Sequence, residues 1–145
     1  MRRPGSHVSN VQYAALPWRP TDGAIEILLV TTLKTRQWIV PKGWPVAGCT
    51  PGESAASEAL EEAGVLGEVE PKSLGSFFYH KRRKSGEVTP CRVDVYPMRV
   101  DTQRRTWAEK PVRETRWCSP EEALTRVSDP GLRRLIAQFA NRPAT

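Results

Sequence analysis

Two hydrophobic periods alternate along this chain. Runs of alternating or continuous apolar residues predict strands at residues 12–18, 26–32, 38–40, 67–69, 73–80, 91–100 and 113–118. The run at 26–32 has Ile27, Leu28, Leu29 and Val30 in succession, as expected of a central strand buried on both faces. In 91–100, Val93 and Val95 fall on one side and Arg92, Asp94 and Tyr96 on the other, so this strand has two chemically different faces. Pro17 has no N–H to give to a ladder and is expected to confine the end of the first strand to an edge or a turn.

The helical period takes over in three places. Thr50 is placed to N-cap a helix, Pro51 fits its first position and Glu53 completes a capping box, while Gly64 suits a left-handed C-cap. Ser119, Pro120 and Glu122 repeat the capping pattern for a helix through Val127. Asp129 and Pro130 open a last helix in which Leu132, Leu135, Ile136 and Phe139 recur at helical spacing, a stripe expected to cover the sheet. Strands on both sides of one helix, then two more helices, predict an α+β fold with a mixed sheet. At 145 residues and 39% hydrophobic content, one domain at 11–142 is expected behind a flexible arm at 1–10.

The first helix also carries the candidate chemistry. Glu58, Glu61 and Glu62 stand at i, i+3 and i+4 on one face, with Ala56, Ala59, Leu60 and Ala63 on the packing side. Ionised carboxylates roughly 6 Å apart at an effective dielectric of about 20 repel by about 3 kcal/mol per pair, less where solvated. A divalent cation reverses that sign, and an oxygen-only ligand set suits Mg²⁺ or Mn²⁺. An acidic triplet alone is better read as a solvated helix face; the preceding loop, PKGWP, shifts the balance toward a site.

Charge adds to this picture. Lys and Arg number 22 against 16 Asp and Glu, a net +6 that favours anionic partners such as polyphosphates, nucleic acid or an acidic membrane surface. Four of those cations, Lys81, Arg82, Arg83 and Lys84, are adjacent in a predicted hairpin loop, and no aromatic is interleaved to stack nucleic-acid bases. Cys49, Cys91 and Cys118 lack metal or redox spacing and read as reduced thiols. His7 and His80 stand alone. With no apolar segment after MRRPGSHVSN and no membrane-length run, a cytoplasmic location without a membrane partner is expected.

From Gly43 to Val65 the chain resembles the Nudix box, G-x5-E-x7-R-E-U-x-E-E-x-G-U with U aliphatic. Gly43, Glu58, Glu61, Glu62, Gly64 and Val65 match, with Ala59 at the first U. Cys49 stands where the box has Glu and Ser57 where it has Arg. PKGWP and CRVDVYP resemble the diphosphoinositol polyphosphate phosphohydrolase-like branch. The resemblance implies a Nudix-type α/β/α sandwich and metal-dependent hydrolysis of a pyrophosphate bond in a small organic polyphosphate, whether a nucleoside or dinucleoside polyphosphate or a diphosphoinositol polyphosphate. Glu58, Glu61, Glu62 and the Lys42 carbonyl are the implied ligands for Mg²⁺ or Mn²⁺, with Glu61 holding a metal-bound water or acting as its base. Arg19, Lys42, Lys81, Arg82, Arg83 and Arg113 are the implied substrate contacts, and Glu109 a further metal or water contact. Arg19 reads equally as a solvated charge at a strand end. In the family the box Glu and Arg pair, and the Arg helps hold the ligands. Losing both strands no charge, so the fold is expected to survive with activity reduced. The alternative is a weakened Nudix-fold module that binds a phosphorylated ligand or RNA end with little turnover.

Overall fold

The structure, a computed structural model, describes residues 10–82 and 84–142. Residues 1–9 of the expected arm and Arg83 lie outside that range. The elements run β1 (Val11–Thr21), β2 (Ala24–Thr31), β3 (Trp38–Ile39), β4 (Lys42–Gly43), α1 (Pro51–Ala63), β5 (Val65–Val69), β6 (Gly75–Arg82), β7 (Val88–Gln103), β8 (Thr115–Cys118), α2 (Pro120–Arg126) and α3 (Pro130–Ala140). β1 and β7 pair in parallel and the remaining ladders are antiparallel, giving the expected mixed sheet. Among the described residues no helix is long and apolar enough to cross a membrane.

Helices cover both faces of the sheet because its strands alternate apolar residues to both sides. Ala14, Leu16, Ile27, Leu29, Val93 and Val95 meet α2 and α3 through Ala123, Leu132, Ile136 and Phe139. On the opposite face Ala15, Leu28, Val30, Tyr96 and Met98 meet α1 through Ala55, Ala59 and Ala63. Small alanines let α1 lie close to the sheet, which matters for the site described below.

β1 runs straight through Pro17 to Thr21, beyond the end expected from its sequence. The reason is a divergence. β2 pairs with β1 only from Trp18↔Ile27 outward. Past that point β2 swings away and the β3–β4 segment fills the wedge, with Ile39 on Val30 of β2 and Lys42 on Ala14 of β1. Ala15 donates its N–H to the Pro41 carbonyl at 3.0 Å. Pro17, two residues on, therefore turns its missing donor to the same edge, at the gap between two partners where none is needed.

β7 is likewise longer than expected, and β6 lies two residues later than expected, so that Lys81 and Arg82 belong to the strand rather than to a loop. Lys81 pairs with Thr89, and Arg82 with Val88.

Candidate active site

Helix α1 begins and ends at the expected residues. Thr50 accepts from the Glu53 N–H at 3.1 Å while the Glu53 carboxylate accepts from the Thr50 N–H at 2.9 Å, and Gly64 closes the helix at φ 73°. The last turn contains no basic residue, so its C-terminal carbonyls need donors from elsewhere. The segment after β7 supplies them. Gln103 Nε2 donates to the Ala63 carbonyl, Trp107 Nε1 to Glu62, the Glu109 N–H to Glu61 and the Arg104 N–H to Gly64, at 2.8–3.0 Å. That wrap brings Glu109 and Arg113 against the acidic face of the helix.

The acidic face is not a solvent face. Glu62 is buried at 5% exposure, Glu58 is half-buried and Glu61 is exposed. Glu58 lies on the backbone of β4, and a Cβ at Gly43 would fall 2.3 Å from its Cδ, so any side chain there would have to push the carboxyl group aside. The carboxyl groups of Glu58 and Glu62 lie close enough for each to shift the other's pKa. Burial pushes the Glu62 carboxyl up to about 8, opposed by Arg113 and reinforced by Glu58. Burial and Glu61 also raise Glu58, and burial and Glu109 raise Glu61. At all three acids burial is the main cause of the raised value, and the neighbouring carboxylates add to it.

Beside them opens a cleft of about 250 Å³ lined by Thr32, Lys34, Ile39, Lys42, Glu62 and Arg113. Lys42 Nζ donates to Gln12 Oε1 at 3.1 Å and sits 4.2 Å from the Tyr79 ring centroid; the Tyr79 hydroxyl bonds the same Gln12 oxygen at 2.8 Å. Burial lowers the Lys42 pKa, with Glu62 acting against it. Because Ala15 and Pro41 form a hydrogen-bonded pair, the neighbouring Ala14–Lys42 pair does not, and the Lys42 carbonyl points away from β1.

These placements alter several expectations. The three acids do not form one cage: among the described residues no three His, Cys, Asp or Glu side chains converge as a metal site, and Glu61 lies near Glu109, which raises its pKa. Arg113 is in the site and faces protein acceptors: it donates to Thr31 O at 2.9 Å and to the Glu109 carboxylate, and forms an ion pair with Glu62 at 3.4 Å. Arg19 lies five residues along β1 from Ala14, about 17 Å of strand, pairs with Glu26 at 2.7 Å and stacks 3.9 Å over Trp117, away from the acids. Arg82 alternates to the sheet face opposite Lys81. Lys81 shares the Tyr79 face and is close enough to Lys42 to lower its pKa. Asp94 pairs with Arg92 at 3.0 Å and Ser76 at 2.7 Å. The roles of Gln12, Lys34, Tyr79 and Trp107 had no motif to announce them.

Residues 11–139 match the family model for the NUDIX domain. The chain belongs to the Nudix family. Nudix hydrolase 21, chloroplastic, of Arabidopsis thaliana is 32% identical over 126 residues, 83% of this chain and 59% of that protein. Nudix hydrolase 4 of the same plant is 32% identical over 117 residues, 81% of this chain and 55% of that protein. The chain thus spans little more than half the length of these relatives. Among solved structures, the C. elegans Ap4A hydrolase superimposes with a TM-score of 0.67 at 19% identity, covering 89% of this chain and 94% of that one. The NUDIX domain of Shewanella oneidensis NrtR complexed with ADP ribose gives 0.69 at 17% identity, covering 95% and 91%. At such identities the likeness is one of fold, and it agrees with the α+β Nudix architecture described above. Within the Nudix box, the two departures, Cys49 and Ser57, are both exposed, so no buried charge has lost its partner there.

Proposed function

We propose that this chain is a metal-dependent Nudix pyrophosphohydrolase that cleaves a P–O–P bond in a small organic polyphosphate. One observation carries the reading: Glu62 Oε1 is buried with no hydrogen-bond partner, beside Glu58 and facing a cleft that also holds Lys42. An unpartnered buried carboxylate oxygen is costly unless something binds it. The donor set is all oxygen, and the four acids Glu58, Glu61, Glu62 and Glu109 against Lys42 and Arg113 leave two negative charges when ionised. Both features fit a hard divalent cation, which characteristically takes one or two carboxylates and completes its shell with substrate phosphates.

Glu58, Glu62 and the outward carbonyl of Lys42 are the residues that would hold Mg²⁺ or Mn²⁺. A cation there acidifies water and offsets phosphate charge. Glu61, on the exposed side of the same turn and with a pKa raised by burial and Glu109, is suited to take the proton of an attacking water. Lys81 and Lys34 flank the cleft as contacts for non-bridging oxygens, Lys42 anchors its floor, and positioning for in-line attack is the protein's main remaining task. The PKGWP and CRVDVYP segments resemble the diphosphoinositol polyphosphate phosphohydrolase-like branch, which supports this reading. Its substrate class is then a nucleoside or dinucleoside polyphosphate or a diphosphoinositol polyphosphate. The neighbours' ligands, Ap4A and ADP ribose, are phosphate-chain molecules of that general kind.

The test is a polyphosphate panel with Mg²⁺ and Mn²⁺, followed by ³¹P NMR in ¹⁸O-labelled water to identify the phosphorus attacked. Glu62→Gln is expected to lower turnover by at least about 100-fold; native turnover in that variant overturns the assignment. The second reading, a Nudix-fold binding module, draws on the replaced box positions Cys49 and Ser57. Saturable binding by calorimetry with the ligand intact after long incubation favours it.

A further inference from the structure

Arg113 and Glu62 meet almost out of water, with side-chain exposures of 10% and 6%. The guanidinium uses its planar fork in three directions: Nε to the Glu109 carboxylate, Nη1 to the Thr31 carbonyl and Nη2 to Glu62 Oε2. Three separate acceptors fix the plane and the position of the fork. Oε2 of Glu62 faces the guanidinium as an ion pair at 3.4 Å, and Oε1 is the oxygen without a partner. A lone cation beside a metal site repels the metal, but Glu109 offsets the charge of Arg113, so the pair presents an orienting donor with little net charge. Glu109 is itself held by its N–H on the Glu61 carbonyl, one residue from the group being oriented. Ser57, where the box carries a guanidinium on the helix itself, is exposed and has no such group.

We propose that Arg113, clamped by Glu109 and Thr31, is a positioning residue that aims the free oxygen of Glu62 at the cation and takes over, from outside the helix, the work of the absent box arginine. The inference rests on the metal-dependent reading above. It makes Arg113 part of the ligand mount rather than a phosphate contact.

The test is Mn²⁺ affinity by electron paramagnetic resonance on the full, substrate-free chain, compared for the native protein, Glu62→Gln, Arg113→Gln, Arg113→Lys and Glu109→Gln. Arg113→Gln is expected to weaken Mn²⁺ binding about 10- to 100-fold, with Arg113→Lys between it and the native chain because charge without the fork restores only part. Glu109→Gln also weakens binding, because it uncovers the charge of Arg113. At saturating Mn²⁺ the KM of Arg113→Lys stays within about twofold of native, whereas loss of a phosphate contact raises it. Unchanged or tighter Mn²⁺ binding by Arg113→Gln overturns the proposal. Should that variant fail to fold by circular dichroism, native affinity in Arg113→Lys overturns it equally. If Glu62→Gln binds Mn²⁺ as the native chain does, the metal reading itself fails and this inference with it; if Glu62→Gln weakens binding and the Arg113 variants do not, only the positioning role falls.

Discussion

The carboxyl group of Glu58 rests on the backbone of Gly43, so close that a methyl group on Gly43 would sit 2.3 Å from Glu58 Cδ. Helix α1 and strand β4 thereby meet at the point where the proposed function has Glu58 and the Lys42 carbonyl share a cation. Gly43→Ala is expected to displace Glu58, weakening Mn²⁺ binding by about 10-fold or more and lowering turnover with it, while far-ultraviolet circular dichroism stays native. Full activity in this variant would mean that Glu58 has freedom the packing denies it.

Stability should depend on pH through Glu62. Its carboxyl is held at about 8, against an ordinary glutamate value of 4.5, so between those values the folded chain keeps a proton that the unfolded chain has released. Stability of the metal-free protein therefore falls as pH rises through that window and levels off above it. Calorimetry from pH 5 to pH 9 is expected to show the melting temperature falling by on the order of 5 °C. Glu62→Gln should flatten the slope; a Tm that rises across the same range would reverse the assigned sign.

Arg19 and Lys81 are both basic residues on strands, and their surroundings separate them. The charge of Arg19 is taken up by Glu26 at 2.7 Å and by the face of Trp117 at 3.9 Å. Arg19→Ala should leave KM within about twofold, whereas Lys81→Ala should raise it several-fold, at a cost of about 1 kcal/mol in substrate binding. Steady-state kinetics at saturating metal decides, and equal effects would return Arg19 to the substrate contacts.

Ser57→Arg restores the sequence pattern of the box without restoring a missing function if Arg113 already orients Glu62. Turnover is expected to stay within about threefold of native. A gain of 10-fold or more would show that the orienting group is incomplete.

How much of this was legible beforehand follows the range of the forces involved. Thr50, Glu53 and Gly64 announced both ends of α1 because capping is settled within four residues. Leu132, Leu135, Ile136 and Phe139 announced the buried stripe of α3 for the same reason of local period. The strands were found, but β1 ended too early, because Pro17 is tolerated only where two partner strands happen to leave a gap. The acids were identified as one face of a helix. Spacing does not say that Glu62 is buried beside Glu58, or that Glu61 lies near Glu109.

By itself the sequence determined the caps, the periods, the box and the identity of the acids, since these rest on contacts between residues near in the chain. Which charges meet was decided only by the tertiary structure. Arg113 reaches Thr31 across 82 residues of chain, and Arg19, with the same side chain, finds Glu26 and Trp117 instead. A cation's role depends on which acceptors share its low-dielectric surroundings, and that neighbourhood exists only once β2, β8 and α1 have packed together.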